Sequence, residues 1–347
     1  MKRLRLGVAG AGVIGRAHLQ RIVASEECDC VALVDPAPAA SVLAHEATLP
    51  LFRELPAMID ALRPDAVILA TPNSLHVSGA LQCIAQRVAC LVEKPLAETL
   101  NDARRLADAA RRAAAPVLVG HHRRHSAVLR AACDVIEGGR LGRLVAITGS
   151  ATFRKPDRYF EEAPWRRQPG GGPILINMVH EVDDLRMLAG DIVEVQAMVS
   201  NAARGFEVED TAAVTLRFAN GALGSFMLSD AAAGPRSWEQ TSGENPAYDH
   251  HADEDCYVIA GERGSLSVPT MRLRSYHAEA SWFATMHSER LDIARVDPLA
   301  AQLAHFCAVV RGDAAPRVTV SDALRTLAVT LAISEAARSG AAVRLDS

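Results

Sequence analysis

The sequence predicts two sheet domains in succession, a doubly wound parallel α/β domain and then a mostly antiparallel one. Three observations lead there. Short apolar runs alternate with helical periods through the first third of the chain; the first run ends in a glycine-rich turn; and beyond Gly138-Gly139 apolar runs follow one another without crossover helices. Near-continuous apolar strands separated by helices call for a parallel sheet covered on both faces, whereas directly joined strands call for hairpins.

The first element is Leu4 to Ala9, an apolar run of strand length, leading into Gly10-Ala11-Gly12-Val13-Ile14-Gly15 and a helical pattern over Arg16 to Ala24. A second run, Cys30 to Val34, ends on Asp35, and 35 − 15 places that acid 20 residues past the last glycine. G-x-G-x-x-G alone is weak: with 23 glycines in 347 residues, chance supplies about 0.1 per chain. Between a strand and a helix, with the acid in register, it is a dinucleotide-binding turn of the Rossmann type. Gly10 makes the tight turn, Gly12 admits the pyrophosphate, Gly15 lets helix and strand pack, and the N–H groups of the helix start, Val13 and Ile14 included, face the phosphates. Asp35 suits a ribose diol and repels a 2′-phosphate, and Pro36-Ala37-Pro38-Ala39-Ala40 supply no cation to cradle one, so NAD is expected over NADP.

Next come Asp65 to Ala70, a helical Leu75 to Gln86, Val88 to Glu93, a helical Leu100 to Ala113, and Pro116 to Val119. Ligands of open parallel sheets lie beyond the carboxyl ends of the strands. Thr71-Pro72-Asn73, Glu93-Lys94-Pro95 and Gly120-His121-His122 occupy those ends and should line one cleft. The first domain is therefore drawn over residues 1–122 and the second over 123–347, with late helices able to pack back on the first. In the second domain strands are expected at 144–153, 193–201, 211–218, 223–228, 256–260, 265–268 and 272–276, with Asn220-Gly221 and Glu262-Arg263-Gly264 as turns. A helix is expected over Ile176 to Leu188, and late helices over Pro298 to Val310 and Ser321 to Arg338, the last capped by Ser321. The breaker-rich stretch 229–255 reads as a long binding loop or insertion, with Trp238, Glu239, Tyr248 and His250 as recognition candidates.

Composition bounds the function. Hydrophobic residues at 49% and charged residues at 22% are ordinary for a globular protein. A net charge of −4 leaves no nucleic-acid footprint. No run approaches the ~18 apolar residues of a membrane span, and Met1-Lys2-Arg3 leads straight into the first strand, so a cytoplasmic protein without a signal peptide is expected. The seven scattered cysteines read as reduced thiols. The clusters His121-His122-x-x-His125 and His250 to Cys256 lack standard ligand spacing, and no metal is expected.

In order and at these spacings, the glycine turn at 10–15, Thr71-Pro72-Asn73 with His76, Glu93-Lys94-Pro95, Trp165-Arg166, and Gly170-Gly171-Gly172 followed by His180-x-x-Asp183 resemble the Gfo/Idh/MocA oxidoreductases over essentially the whole chain. The resemblance implies a Rossmann domain, an open-faced sheet domain that assembles dimers or tetramers, and nicotinamide-dependent redox chemistry on sugars, cyclitols or related hydroxyl compounds. Thr71, Pro72, Asn73, His76, Glu93, Lys94, Trp165 and Arg166 are then expected at the cofactor. Oxidising a secondary alcohol needs positive charge near its oxygen and a base for its proton. Lys94, held before Pro95 at a strand end, suits the first task, and His180 suits the second, with Asp183 a helical neighbour of it. His122, Arg124, Asn177, Lys94, His180 and Trp238 are expected at the substrate.

One position departs from the family pattern: Ile176 stands where an Asp is common four residues before the histidine, and Asn177 is the neutral group available to replace it. Retention of Lys94 and His180 favours a dehydrogenase over a non-catalytic dinucleotide-binding regulator; an NAD-dependent glycoside-cleaving enzyme is the third reading.

Overall fold

A computed structural model describes residues 2–113 and 116–345. The chain divides into two compact units, Met1–His122 with Pro298–Leu327, and Arg123–Asp297 with Ala328–Ser347. Residues 298–327 thus belong with 1–122 in the first unit, and the rest of the later chain forms the second.

Among the described residues, the first unit holds six parallel strands: β1 (Leu4–Ala9), β2 (Cys28–Val34), β3 (Leu51–Phe52), β4 (Ala66–Leu69), β5 (Ala89–Glu93) and β6 (Val117–Gly120), in the order β3-β2-β1-β4-β5-β6. The order reverses between β1 and β4, which makes their carboxyl ends the ligand side of the sheet. β4, β5 and β6 are buried at every position, as strands covered on both faces must be. Helices α1 (Val13–Ala24), α2 (Ala40–Glu46), α3 (Leu55–Leu62), α4 (His76–Ala85) and α5 (Leu100–Arg112) connect them. The returning helix Pro298–Arg311 packs on α1 and puts Leu303, Phe306 and Cys307 into a core with Leu6, Val8, Leu19 and Ile22. Arg311 donates to the Glu27 backbone carbonyl at 3.1 Å, fastening its end.

The second unit is built on nine strands among the described residues. After helix α6 (Ala127–Glu137) come β7 (Leu144–Thr152), a one-turn α7 (Asp157–Glu161), a π-helical turn over Ile174–Met178, α8 (Val179–Ala189), β8 (Ile192–Ser200), β9 (Thr211–Phe218), β10 (Leu223–Ser229), a short α9 (Trp238–Thr241), β11 (Tyr257–Gly261), β12 (Gly264–Val268), β13 (Arg272–Ser275) and β14 (His287–Arg290). The helix Val320–Ser339 and β15 (Val343–Arg344) follow. The strand order is β14-β13-β12-β11-β7-β10-β9-β8-β15, antiparallel throughout except β7 with β10. Ala212, Val214, Leu216 and Phe218 alternate onto the helix-covered face with Val128, Leu129, Val182, Leu185 and Leu188. The other face is open: Met198 is 78% exposed, and it and Met227 flank Ala213 in register.

Three local expectations are corrected. The late helix begins at Val320, with Thr319 Oγ1 accepting from Asp322 N at 3.1 Å, so Thr319 is the cap and Ser321 lies inside the first turn. The helix expected from Ile176 begins as a π turn at Ile174. The stretch 229–255 is not structureless: Ser237 caps α9, Trp238 is buried, and Arg295 donates to the Ser242 carbonyl. All seven cysteines are free thiols, six buried and Cys30 half-buried. Among the described residues no helix is long and apolar enough to cross a membrane.

Candidate active site

In the first unit the functional side chains stand at the carboxyl ends of neighbouring strands β1, β4, β5 and β6. Gly10 has φ of +100°, and a side chain there would collide with the Ala70 backbone at the end of β4. A side chain on Gly15 would strike the Gly10 carbonyl, so α1 rests directly on the turn. A side chain on Gly12 would meet nothing within 4 Å among the described residues, and no side chain caps α1, which leaves its first N–H groups facing that open space beside Val13 and Ile14. Such an arrangement takes a phosphate. Asp35 Oδ2 accepts from Ala11 N at 2.7 Å and Oδ1 from Ala37 N at 2.8 Å, so the acid braces the glycine turn while each oxygen keeps a further lone pair.

Past β4, the Thr71 hydroxyl oxygen is buried and has no hydrogen-bond partner among the described residues, an orphan polar atom beside the same turn. Pro72 and Asn73 begin a short helical turn. His76 is a brace: its Nδ1 lies 2.7 Å from the Pro95 carbonyl and its Nε2 2.9 Å from the Thr71 carbonyl, so both ring nitrogens serve to join two strand ends.

At the end of β5, Glu93 is buried, with Oε1 2.8 Å from His18 Nε2 of α1 and Oε2 accepting from Lys94 N at 3.2 Å. Burial would push this carboxyl up, but the His18 hydrogen bond, aided by the charges of His18, Lys94 and His122, holds it down at about 2. Gly120 makes room: a Cβ there would lie 2.9 Å from the Glu93 carboxylate. Glu93 is thus a fixed anion under half-buried Lys94, not a group turned outward.

The second unit presents His180 at the start of α8, 8% exposed. Asp183, three residues on, accepts a two-pronged bond from Arg124, at 2.7 Å from Nε and 2.9 Å from Nη2. The acid expected beside His180 and the arginine expected at the substrate are therefore paired with each other. One turn before His180, the Asn177 oxygen accepts from Lys155 Nζ at 2.7 Å. Trp165 is exposed, and Arg166 stacks 3.7 Å from the Tyr159 ring centroid. Trp238 is corrected as a substrate residue: it lies in the core, its indole N–H donating to Glu244 at 3.1 Å.

A family model described as an oxidoreductase family with an NAD-binding Rossmann fold matches residues 4–121, and one described as the GFO/IDH/MocA C-terminal domain matches 129–267. The chain belongs to the Gfo/Idh/MocA oxidoreductases. It is 32% identical over 285 residues to the 1,5-anhydro-D-fructose reductase of Ensifer adhaerens, spanning 82% of this chain and 80% of the relative. It is 27% identical over 357 residues to the D-apiose dehydrogenase of Paraburkholderia graminis, spanning 100% and 91%. In fold it resembles the WlbA dehydrogenase from Bordetella pertussis, solved with NADH and UDP-GlcNAcA, at a TM-score of 0.80 and 24% identity over 100% of both chains. It also resembles an Agrobacterium radiobacter oxidoreductase solved with NAD+, L-tartaric acid and magnesium, at 0.82 and 19%, over 99% and 98%. This Gfo/Idh/MocA chain carries an NAD(P)-binding Rossmann domain.

Two features of this family member were not read from its sequence. One is Lys155, which reaches Asn177 and, at 3.3 Å, Asp230. Its signal was present: Lys155-Pro156 follows a strand, as Lys94-Pro95 does. The other is a buried network in which Arg123 meets Glu181 and Asp184 at 2.9 Å and Glu239 at 2.6 Å, with the Tyr257 hydroxyl donating to Glu181 and Asp184. Burial raises Asp184 to about 8, with Arg123 opposing. These partners are 58 to 116 residues apart and have no local signature.

Proposed function

We propose that this chain is an NAD-dependent dehydrogenase acting on a secondary hydroxyl of a sugar, sugar acid, cyclitol or similar polyol. The observation that supports it most is the joint retention of Lys94, anchored by Glu93 at the end of β5, and His180, at the start of α8. The relatives named for 1,5-anhydro-D-fructose and D-apiose support the substrate class.

Gly10, Gly12, Gly15, Asp35, Thr71 and Asn73 are the residues that would hold the dinucleotide, and the open space at Gly12 and the orphan Thr71 hydroxyl fit it. When bound, its nicotinamide supplies the hydride acceptor or donor. Lys94 stabilises the developing alkoxide as a cation whose backbone Glu93 holds in place. His180 takes the hydroxyl proton in oxidation and returns it in reduction. Asp183 holds Arg124, and that ion pair positions the histidine-bearing helix rather than exchanging the proton. Asp35 favours NAD, since its carboxylate repels a 2′-phosphate.

Assembly as a dimer or tetramer belongs to the same reading, supported by Met198, Leu223, Met227 and Val258 exposed on the open sheet face. The free thiols suit a cytosol. The test is a screen of sugars, sugar acids and cyclitols with NAD and NADP, following reduced cofactor by absorbance. NADH formation with one of these substrates is the expected result. Ligand binding without turnover across the screen would favour a regulator, and sugar release without NADH accumulation a glycoside-cleaving enzyme.

A further inference from the structure

Lys155 leaves the end of β7 and turns inward, its side chain 11% exposed. Its ammonium donates to Asn177 Oδ1 at 2.7 Å, lies 3.3 Å from Asp230 Oδ2 and sits 4.9 Å from the Tyr159 ring centroid. Asp230 is also bound by Arg204, whose Nε is 3.0 Å from Oδ1. Two cations therefore share one buried carboxylate. Arg166, stacked on the same Tyr159, adds a third positive charge, and among the described residues its hydrogen bond goes to a backbone carbonyl, that of Tyr159. Arg204 also lies 3.5 Å from Asp157 and donates its backbone N–H to Asp210 at 2.9 Å, so three carboxylates stand among the three cations.

The hydrogen-bond roles set what this place can bind. A carboxylate one turn before His180 would accept from a substrate hydroxyl. Ile176 cannot, and Asn177 has its oxygen engaged by Lys155, which leaves its amide N–H groups to offer. Asn177, three residues before His180, and Lys155, bonded to it, thus offer donors where an acceptor is common in the family.

We propose that Lys155 and Asn177 bind a carboxylate of the substrate, so that within the dehydrogenase activity proposed above the substrate is a hydroxy acid rather than a neutral polyol. The inference rests on that reading for the role of His180 but not for the binding itself. Burial lowers the Lys155 ammonium to about 8, Asp230 opposing and Arg166 and Arg204 assisting. The groups facing it are Asp230 from the end of β10, Arg204 from the β8–β9 connection, Arg166 from the turn at 164–167, Tyr159 from α7 and Asn177. The grip on an anion is therefore lost as pH rises through about 8.

The test is binding to the NADH-loaded full chain by calorimetry, with matched pairs: D-gluconate against D-glucitol, D-glucuronate against D-glucose, and glycerate against glycerol. The acid of at least one pair is expected to bind tenfold or more tightly at pH 7, as a charge-assisted hydrogen bond implies. That ratio should fall tenfold or more in Lys155→Met, fall less in Lys155→Arg, and collapse in the wild type between pH 7 and 9. Asn177→Asp should reverse the preference. Equal affinities within every pair, no acid binding at all, or a ratio that survives in a folded Lys155→Met would each overturn the proposal. Acid preference without turnover of any acid would leave it standing and instead defeat the dehydrogenase reading.

Discussion

Glu93 Oε1 and His18 Nε2 lie 2.8 Å apart in the interior, tying the strand end that bears Lys94 to the helix that follows the glycine turn. The glycine turn's helix and the strand end that bears Lys94 therefore share one buried hydrogen-bonded joint.

That joint makes stability depend on acid in a defined window. The Glu93 carboxyl is held at about 2 against an ordinary 4.5. A carboxyl lowered on folding supports the native state above its unfolded value and loses that support as pH falls through the folded one. Glu93→Gln is expected to cost up to about 3 kcal/mol near neutrality, and the gap to wild type should close between pH 4.5 and 2. Urea unfolding at stepped pH measures it, and a gap independent of pH would show that the carboxyl is not depressed.

Two of the motif glycines should separate by assay. Gly15→Ala drives a methyl into the Gly10 carbonyl, so a loss of about 2–4 kcal/mol of stability is expected. Gly12→Ala meets open space and should unfold close to the wild-type temperature while weakening NADH binding tenfold or more. Melting curves alongside NADH titration decide; a Gly12→Ala protein with wild-type NADH affinity would remove the phosphate from that place.

Asp35 should set cofactor choice. Wild-type kcat/KM is expected to be higher with NAD than with NADP, and Asp35→Ser with Ala37→Arg should narrow the gap. Because Asp35 also accepts from Ala11 and Ala37, the variant should lose some NAD affinity as well. A wild-type preference for NADP would refute the ribose argument.

For the chemical step, Lys94→Ala and His180→Asn are each expected to lower kcat by about 10²–10⁴ while NAD affinity changes little. The His180 variant should also flatten the acidic limb of the pH–rate profile. Turnover within about threefold of wild type would exclude His180 as the base.

The parallel half was legible because its signals are local. Leu4–Ala9, Gly10–Gly15 and Asp35 fall within one supersecondary unit, and every strand except the two-residue β3 announces itself as a short apolar run. The hairpins of the second unit were legible for the same reason, down to Thr211–Phe218. What could not be read depends on partners far away in sequence. Asp183 as the mate of Arg124 needs two segments 59 residues apart to meet, and Trp238 looked like an exposed loop aromatic until Glu244, Ser126 and Arg123 gave that loop a polar interior. The π turn at Ile174–Met178 had no signature, since it shifts the phase of a helix without changing its composition.

The histidine-bearing helix has a consequence for how this unit is assembled. Glu181, Asp183, Asp184 and Arg186 are all buried on it, and the guanidinium groups that bond the three acids include those of Arg123 and Arg124, which arrive from a separate segment. Packing the helix before that segment would strand carboxylates in an apolar interior. The segment 122–125 and the helix must therefore dry together, as one cooperative event closing a loop of some sixty residues.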